Sequence, residues 1–198
     1  MVTFSTTPHA EGQQFQVRGM AAAFAGSRHG QVPEHICRPV IHCLHTLGFT
    51  FMTGCAPGVD QSFRRVLASP PYAQDSLIAC AFDSRAHQFS TQELLAVTVV
   101  PAGLSPAAAL HRRTVWMVRR SSLLVVVPEN PNTGRWGRGS SLAFTTAVHN
   151  LKPVFVAGES PPSSSPLYRV TAASLFGIVS GFWAVPHPVY EGGPCDEE

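Results

Sequence analysis

Phe49-Thr50-Phe51-Met52-Thr53-Gly54-Cys55-Ala56-Pro57-Gly58-Val59-Asp60 is the stretch from which the fold is read. Residues 49–53 are apolar or β-branched and predict a short buried strand. The strand runs straight into two glycines four positions apart, and residues 61–68 then read as a helix. A buried strand, a glycine turn and a helix in succession form one unit of an α/β fold.

Outward from this unit the same pattern repeats. Residues 20–25 form an apolar run that ends in Gly26-Ser27-Arg28, a second strand closed by a turn. Between the two strands, Ile36, Val40, Ile41, Leu44 and Leu47 follow helical spacing, with Pro33 suited to the first turn and Gly48 to the end. Downstream, residues 76–82, 96–100, 123–127 and 153–157 predict four more strands. Ser105 is placed to cap a helix over 106–120. A glycine-rich loop over 128–139 leads to a helix over 140–151. Continuous apolar strands alternating with helices predict an α/β fold with a mostly parallel central sheet covered on both faces. In such sheets ligands bind beyond the carboxyl ends of the strands, and glycine-rich segments here follow the first, second and fifth strands.

The ends read differently. Residues 1–17 are polar and mixed and predict a flexible N-terminal arm. Residues 18–158 hold the repeating pattern. Residues 159–198 predict a C-terminal extension packing on the same domain: a Pro/Ser linker over 160–166, a segment over 177–186 that either adds a strand or packs on the body, and an acidic, disordered tail.

Composition narrows the function. The 198 residues are 44% hydrophobic and 13% charged, with a formal net charge of +2, which does not by itself call for nucleic acid. Thirteen of the fourteen basic residues are Arg, and Lys152 is the one Lys; Arg is the residue that grips phosphate or carboxylate with a planar fork. The five Cys form no C-x-x-C pair, so free thiols and a reducing cytoplasmic setting are expected. No apolar run reaches the length of a membrane span, and no secretory leader is expected.

Three loops carry the candidate site. Gly26, Ser27 and Arg28 offer a close backbone approach, a hydroxyl and a guanidinium fork. Thr53, Gly54, Gly58 and Asp60 surround a turn suited to an anion, with Asp60 either the N-cap of the next helix or a ligand contact. Gly139, Ser140 and Ser141 stand at a helix start, where N–H groups and hydroxyls hold phosphate, behind Arg135, Trp136 and Arg138. On the helix over 106–120, Arg112 with Arg119 and Arg113 with Arg120 share faces, and Arg113 is the one assigned to the ligand. Asp60 and Glu93 are the weak catalytic candidates. His42 and His45 lie one turn apart without a second ligand cluster, so no metal site and no resident cofactor are expected.

Taken in order, Gly26-Ser27-Arg28, Thr53-Gly54-Cys55-Ala56-Pro57-Gly58-Val59-Asp60, the arginine helix, 123–127, Gly139-Ser140 and Lys152-Pro153-Val154 resemble the SLOG superfamily of Rossmann-like domains. Its members include the DNA-processing protein A family, the LOG or lysine-decarboxylase-like phosphoribohydrolases and the YpsA/YspA-like proteins. The second loop, similar to S-G-G-A-x-G-V-D, is the most specific part. The resemblance implies a Rossmann-like three-layer sandwich, a nucleotide or nucleotide-derived ligand over the strand ends, and pairing into a homodimer as one arrangement. LOG enzymes carry P-G-G-x-G-T-x-x-E, and the corresponding stretch from Arg138 to Phe144 has no acidic residue. Three functions follow as expectations: binding or sensing of a nucleotide-derived phosphate ligand; hydrolysis of such a ligand, using Asp60 or Glu93; and single-stranded DNA binding through Arg135, Trp136, Arg138 and the arginine helix.

Overall fold

The computed structural model describes residues 19–187; the expected N-terminal arm and acidic tail lie outside the described residues. Among the described residues eight strands form one sheet in the order β4-β3-β2-β1-β5-β6-β8-β7. β1 (Ala21–Gly26), β2 (Thr50–Gly54), β3 (Ser76–Cys80), β4 (Leu95–Thr98), β5 (Leu123–Val127) and β6 (Val154–Ala157) are parallel. β7 (Tyr168–Leu175) and β8 (Val179–Pro186) form a hairpin whose second strand pairs antiparallel with β6. The fold is thus α/β, Rossmann-like, with a mostly parallel sheet.

The inner strands pair because both of their faces are apolar. α1 (Glu34–Thr46) and α2 (Val59–Leu67) bury Ile41, Leu44, Phe63 and Leu67 against Phe24 and Phe51 on one face. Phe24 and Phe63 stack with ring centroids 4.1 Å apart. α4 (Pro106–Arg120) and α5 (Arg138–His149) cover the other face with Met117, Val118, Ala143 and Ala147 on Met52, Leu77, Leu124 and Val126. Each such large apolar side chain contributes about 1.5–3 kcal/mol when fully buried. Ser105 caps α4 by accepting the Ala108 N–H. Lys152 donates to the carbonyls of Val118, Arg119 and Ser121 at the other end of that helix, where a cation suits the helix dipole.

Several boundaries differ from expectation, and two elements lie outside it. α2 begins at Val59 and α5 at Arg138, each two residues early. Asp60 therefore lies inside the first turn of α2 rather than at its N-cap, a position held by Gly58. A short helix, α3 (Asp83–Phe89), crosses the segment before β4 and buries none of its residues fully. β7 is a strand that the mixed pattern of 168–175 conceals, because it is the outer edge of the sheet: Tyr168 and Leu175 at its ends are buried and the residues between them exposed or half-buried.

From β1 the chain builds outward to β4, then returns to place β5 on the other side of β1. The order reverses between β1 and β5, and their carboxyl ends frame the crevice where open α/β sheets hold ligands.

Candidate functional site

The first two loops are fastened to each other and to the crevice. Ser27 donates its N–H to Val127 O at 3.2 Å and accepts the Val59 N–H at 3.0 Å, so β1, β5 and α2 meet at one residue. Its hydroxyl accepts the His29 N–H, and Ser27 is buried while Arg28 beside it is exposed. Thr53 is fully buried and donates to Phe24 O. Gly58 has φ +77°, and a Cβ there would come within 2.3 Å of Ser27 O. Only glycine fits that conformation and that approach.

Beneath the second loop sits a buried charge cluster. Arg113 Nη1 lies 3.1 Å from Asp60 Oδ2, with both side chains only 5% exposed. Asp60 also accepts the Ala56 N–H at 3.4 Å. Arg64 donates to Gly54 O at 2.8 Å and Ala56 O at 3.2 Å, and its guanidinium stacks 4.1 Å over Phe89 of α3. Burial pushes the Asp60 carboxyl above the usual carboxylate range, against the opposing pull of Arg113, the Ala56 N–H and Arg64. Burial likewise pulls the Arg64 guanidinium down, against Asp60. Thr53, Gly54, Gly58, Asp60 and Arg113 are thus brought together, as a sealed brace. Asp60 is a partner of Arg113 and not a helix cap.

The third loop is open. α5 has Gly137 at its N-cap with no side-chain hydrogen bond, which leaves its first N–H groups without partners inside the helix. Arg138, Gly139 and Ser141 are exposed there. Ser140 is not: it is fully buried and donates to Gly137 O at 3.0 Å. Because α5 starts early, Ser140 occupies its third position and turns inward. Trp136 packs on Phe144 with ring centroids 5.0 Å apart, so its ring belongs to the protein body.

Glu129, at the carboxyl end of β5, is the acidic residue that the sequence did not single out. Its carboxylate lies 3.6 Å from Arg135 Nε and 3.7 Å from the point a Cβ on Gly137 would occupy. Its place directly after a strand bordering the switch point was the available signal. Glu93 is exposed and precedes β4, so it lies at the opposite edge of the sheet and does not join the site. Of the paired arginines, Arg112 and Arg119 are exposed, and Arg120 stacks 4.2 Å over Trp116. His45 meets Asp75 at 3.1 Å, and among the described residues no group of three His, Cys, Asp or Glu side chains is placed to hold a metal.

A cavity of about 340 Å³ opens beside the crevice. Ile36, Val40, Val127, Ala157 and Ile178 supply apolar wall, while Gln31, Asn132 and Glu159 bring polar groups to it. The loop that lines it through Pro131 and Asn132 is the one that leads into α5.

With this geometry in place, one likeness stands out. The chain shares its fold with DNA processing protein A of Helicobacter pylori. The TM-score is 0.55 at 15% identity, over 83% of each chain. That protein has a single-stranded DNA binding mode. No family model matches the chain, and no curated protein matches it in sequence. Among the described residues no helix is long and apolar enough to cross a membrane.

Proposed function

We propose that this protein binds a nucleotide or nucleotide-derived ligand at the carboxyl edge of the sheet. The phosphate sits at the amino end of α5, with Arg28 and Arg138 as its mobile cations. The base reaches across the carboxyl edge into the apolar cavity on the α1 face, which Pro131 and Asn132 of the same loop border. The observation that carries this reading is the uncapped start of α5 at Gly137, opening beside the β1/β5 reversal. Unpaired N–H groups and the helix dipole there favour an anion. A cavity with apolar walls and a few polar groups suits a planar base.

A second reading, single-stranded DNA along the same edge, draws on the exposed Arg28, Arg135 and Arg138 and on the shared fold with a protein that has a single-stranded DNA binding mode.

A thermal-shift screen against nucleoside phosphates, ADP-ribose, cyclic nucleotides and short oligonucleotides tests both. A ligand at a hundredfold its Kd stabilises by about 2.7 kcal/mol. The small-ligand reading expects a selective shift that Arg138→Ala weakens and Ile36→Trp, which fills the cavity, removes. A shift with oligonucleotide alone, fading steeply with salt, favours the second reading. No shift with any of them overturns both.

A further inference from the structure

The register of the sheet places two cysteines side by side. β2 and β3 run parallel with Gly54 opposite Ala79, so the next residue on each chain is Cys55 and Cys80. Both are buried, at 5% and 0% exposure, and both lie in the apolar cluster with Ala73, Ile78 and Ala81. The two thiols are close enough to perturb each other's ionisation. Adjacent strands lie about 4.8 Å apart, inside the roughly 4.4–6.8 Å between Cα atoms that a disulfide spans.

The surroundings make the two sulfurs unequal. Arg64 holds the carbonyls of Gly54 and Ala56, on either side of Cys55. Arg113 reaches Asp60 in the same cluster. Asp60 pairs with Arg113 alone while Arg64 is held by backbone carbonyls, and an uncompensated buried charge is costly. A thiolate at Cys55 would supply further negative charge there. The neighbouring Cys80 thiol, Arg113 and the Ala81 N–H pull the Cys55 thiol down, against its burial and the Asp60 carboxylate. The neighbouring Cys55 thiol, with burial, pushes Cys80 up. Cys37 shows the contrast: burial and the nearby Glu34 carboxylate push its thiol up to about 12.

We propose that Cys55 and Cys80 form a reversible disulfide that ties the carboxyl ends of β2 and β3 together beneath the glycine-rich loop. The oxidant is a peroxide. The Cys55 thiolate attacks one peroxide oxygen, the O–O bond breaks, and the departing hydroxide takes a proton to become water. Cys55 is then a sulfenic acid. Cys80 gives up its proton, its sulfur attacks the Cys55 sulfur, and hydroxide leaves as a second water. Two electrons pass from the two sulfurs to the peroxide. The disulfide removes that thiolate charge, so oxidation leaves more positive charge under the loop.

The test uses the full chain, fully reduced, exposed to hydrogen peroxide, alkylated and mapped by mass spectrometry. The expected result is a Cys55–Cys80 cross-linked peptide that dithiothreitol dissolves. Cys80→Ala should replace it with a Cys55 sulfenic acid that dimedone traps. In the untreated wild type, the rate of Cys55 alkylation against pH should turn below the ordinary thiol range, and Cys80→Ala should move that midpoint upward. At neutral pH Cys55 should react at least about tenfold faster than Cys37. Peroxide treatment of the folded wild type that leaves Cys55 and Cys80 unlinked, or links either to another cysteine, overturns the proposal. So does a Cys55 pH profile that matches that of Cys37.

Discussion

A Cβ on Gly54 would lie 1.6 Å from Arg113 Nη1 and 2.2 Å from Asp60 Oδ2, whereas a Cβ on Gly139 would meet nothing within 4 Å. The two glycine-rich loops stand on the same edge of the same sheet and use their glycines for opposite purposes. Between β2 and α2, glycine lets an ion pair and a neighbouring loop pack directly onto the backbone. At the start of α5, glycine leaves the backbone uncovered. A glycine-rich loop at a strand end is therefore not in itself a binding loop. What separates the two is whether the space beside the glycine is occupied by the protein.

The sharpest way to break this contrast is Gly54→Ala. The added methyl would collide with Arg113 and Asp60 and force apart a buried pair whose disruption costs about 3–5 kcal/mol. Urea denaturation should show a loss of that order. A loss below about 1 kcal/mol would mean that the brace is not rigid. Arg113→Leu should come next, at about 3 kcal/mol, because it leaves Asp60 buried without its guanidinium. Asp60→Asn in the Arg113→Leu background should recover part of that loss, since the stranded group is then neutral. The double variant isolates the unpaired charge from the lost packing.

The strand-by-strand architecture was legible because the core strands are apolar over their whole length. Leu123–Val127 was read with its observed bounds, and the strands and helices on either side of the crevice were placed to within a few residues. What escaped was whatever depends on distant partners. Asp60 and Arg113 are 53 positions apart, and in a linear reading each is a polar residue in a loop or on a helix face. The pairing of Cys55 with Cys80 exists only through the register of β2 on β3. α3 has no fully buried residue and so leaves no apolar period to detect. The sequence pattern starts the helix at Ser140 and so offers its hydroxyl to a phosphate. Two more residues of helix turn its hydroxyl back onto Gly137, and the exposed polar groups of that turn are instead Arg138 and Ser141.

The open loop yields the two smaller effects. Gly139→Ala adds a methyl where space is free and where Ala favours the helix, so it should stabilise the fold by about 0.5 kcal/mol. It should leave ligand affinity nearly unchanged if the ligand is held by N–H groups alone. A large loss of affinity would mean that the ligand lies directly against the Gly139 Cα.

Gly137→Asp carries the smallest change in stability and the most information about function. Gly137 has φ −80° and ψ 160°, a conformation open to any residue. A Cβ there meets Glu129 and Ser140 no closer than 3.7 Å. Asp at that position caps the free N–H groups and suits the helix dipole, yet it also stands near the Glu129 carboxylate. The net gain over Gly should therefore be a few tenths of a kcal/mol. The same carboxylate would occupy the place assigned to a phosphate and repel it. A variant that melts like the wild type but loses its thermal shift with the nucleotide ligand separates occupation of the site from damage to the fold. A variant that keeps its full ligand response places the phosphate elsewhere on the edge, with Arg28 the next residue to remove.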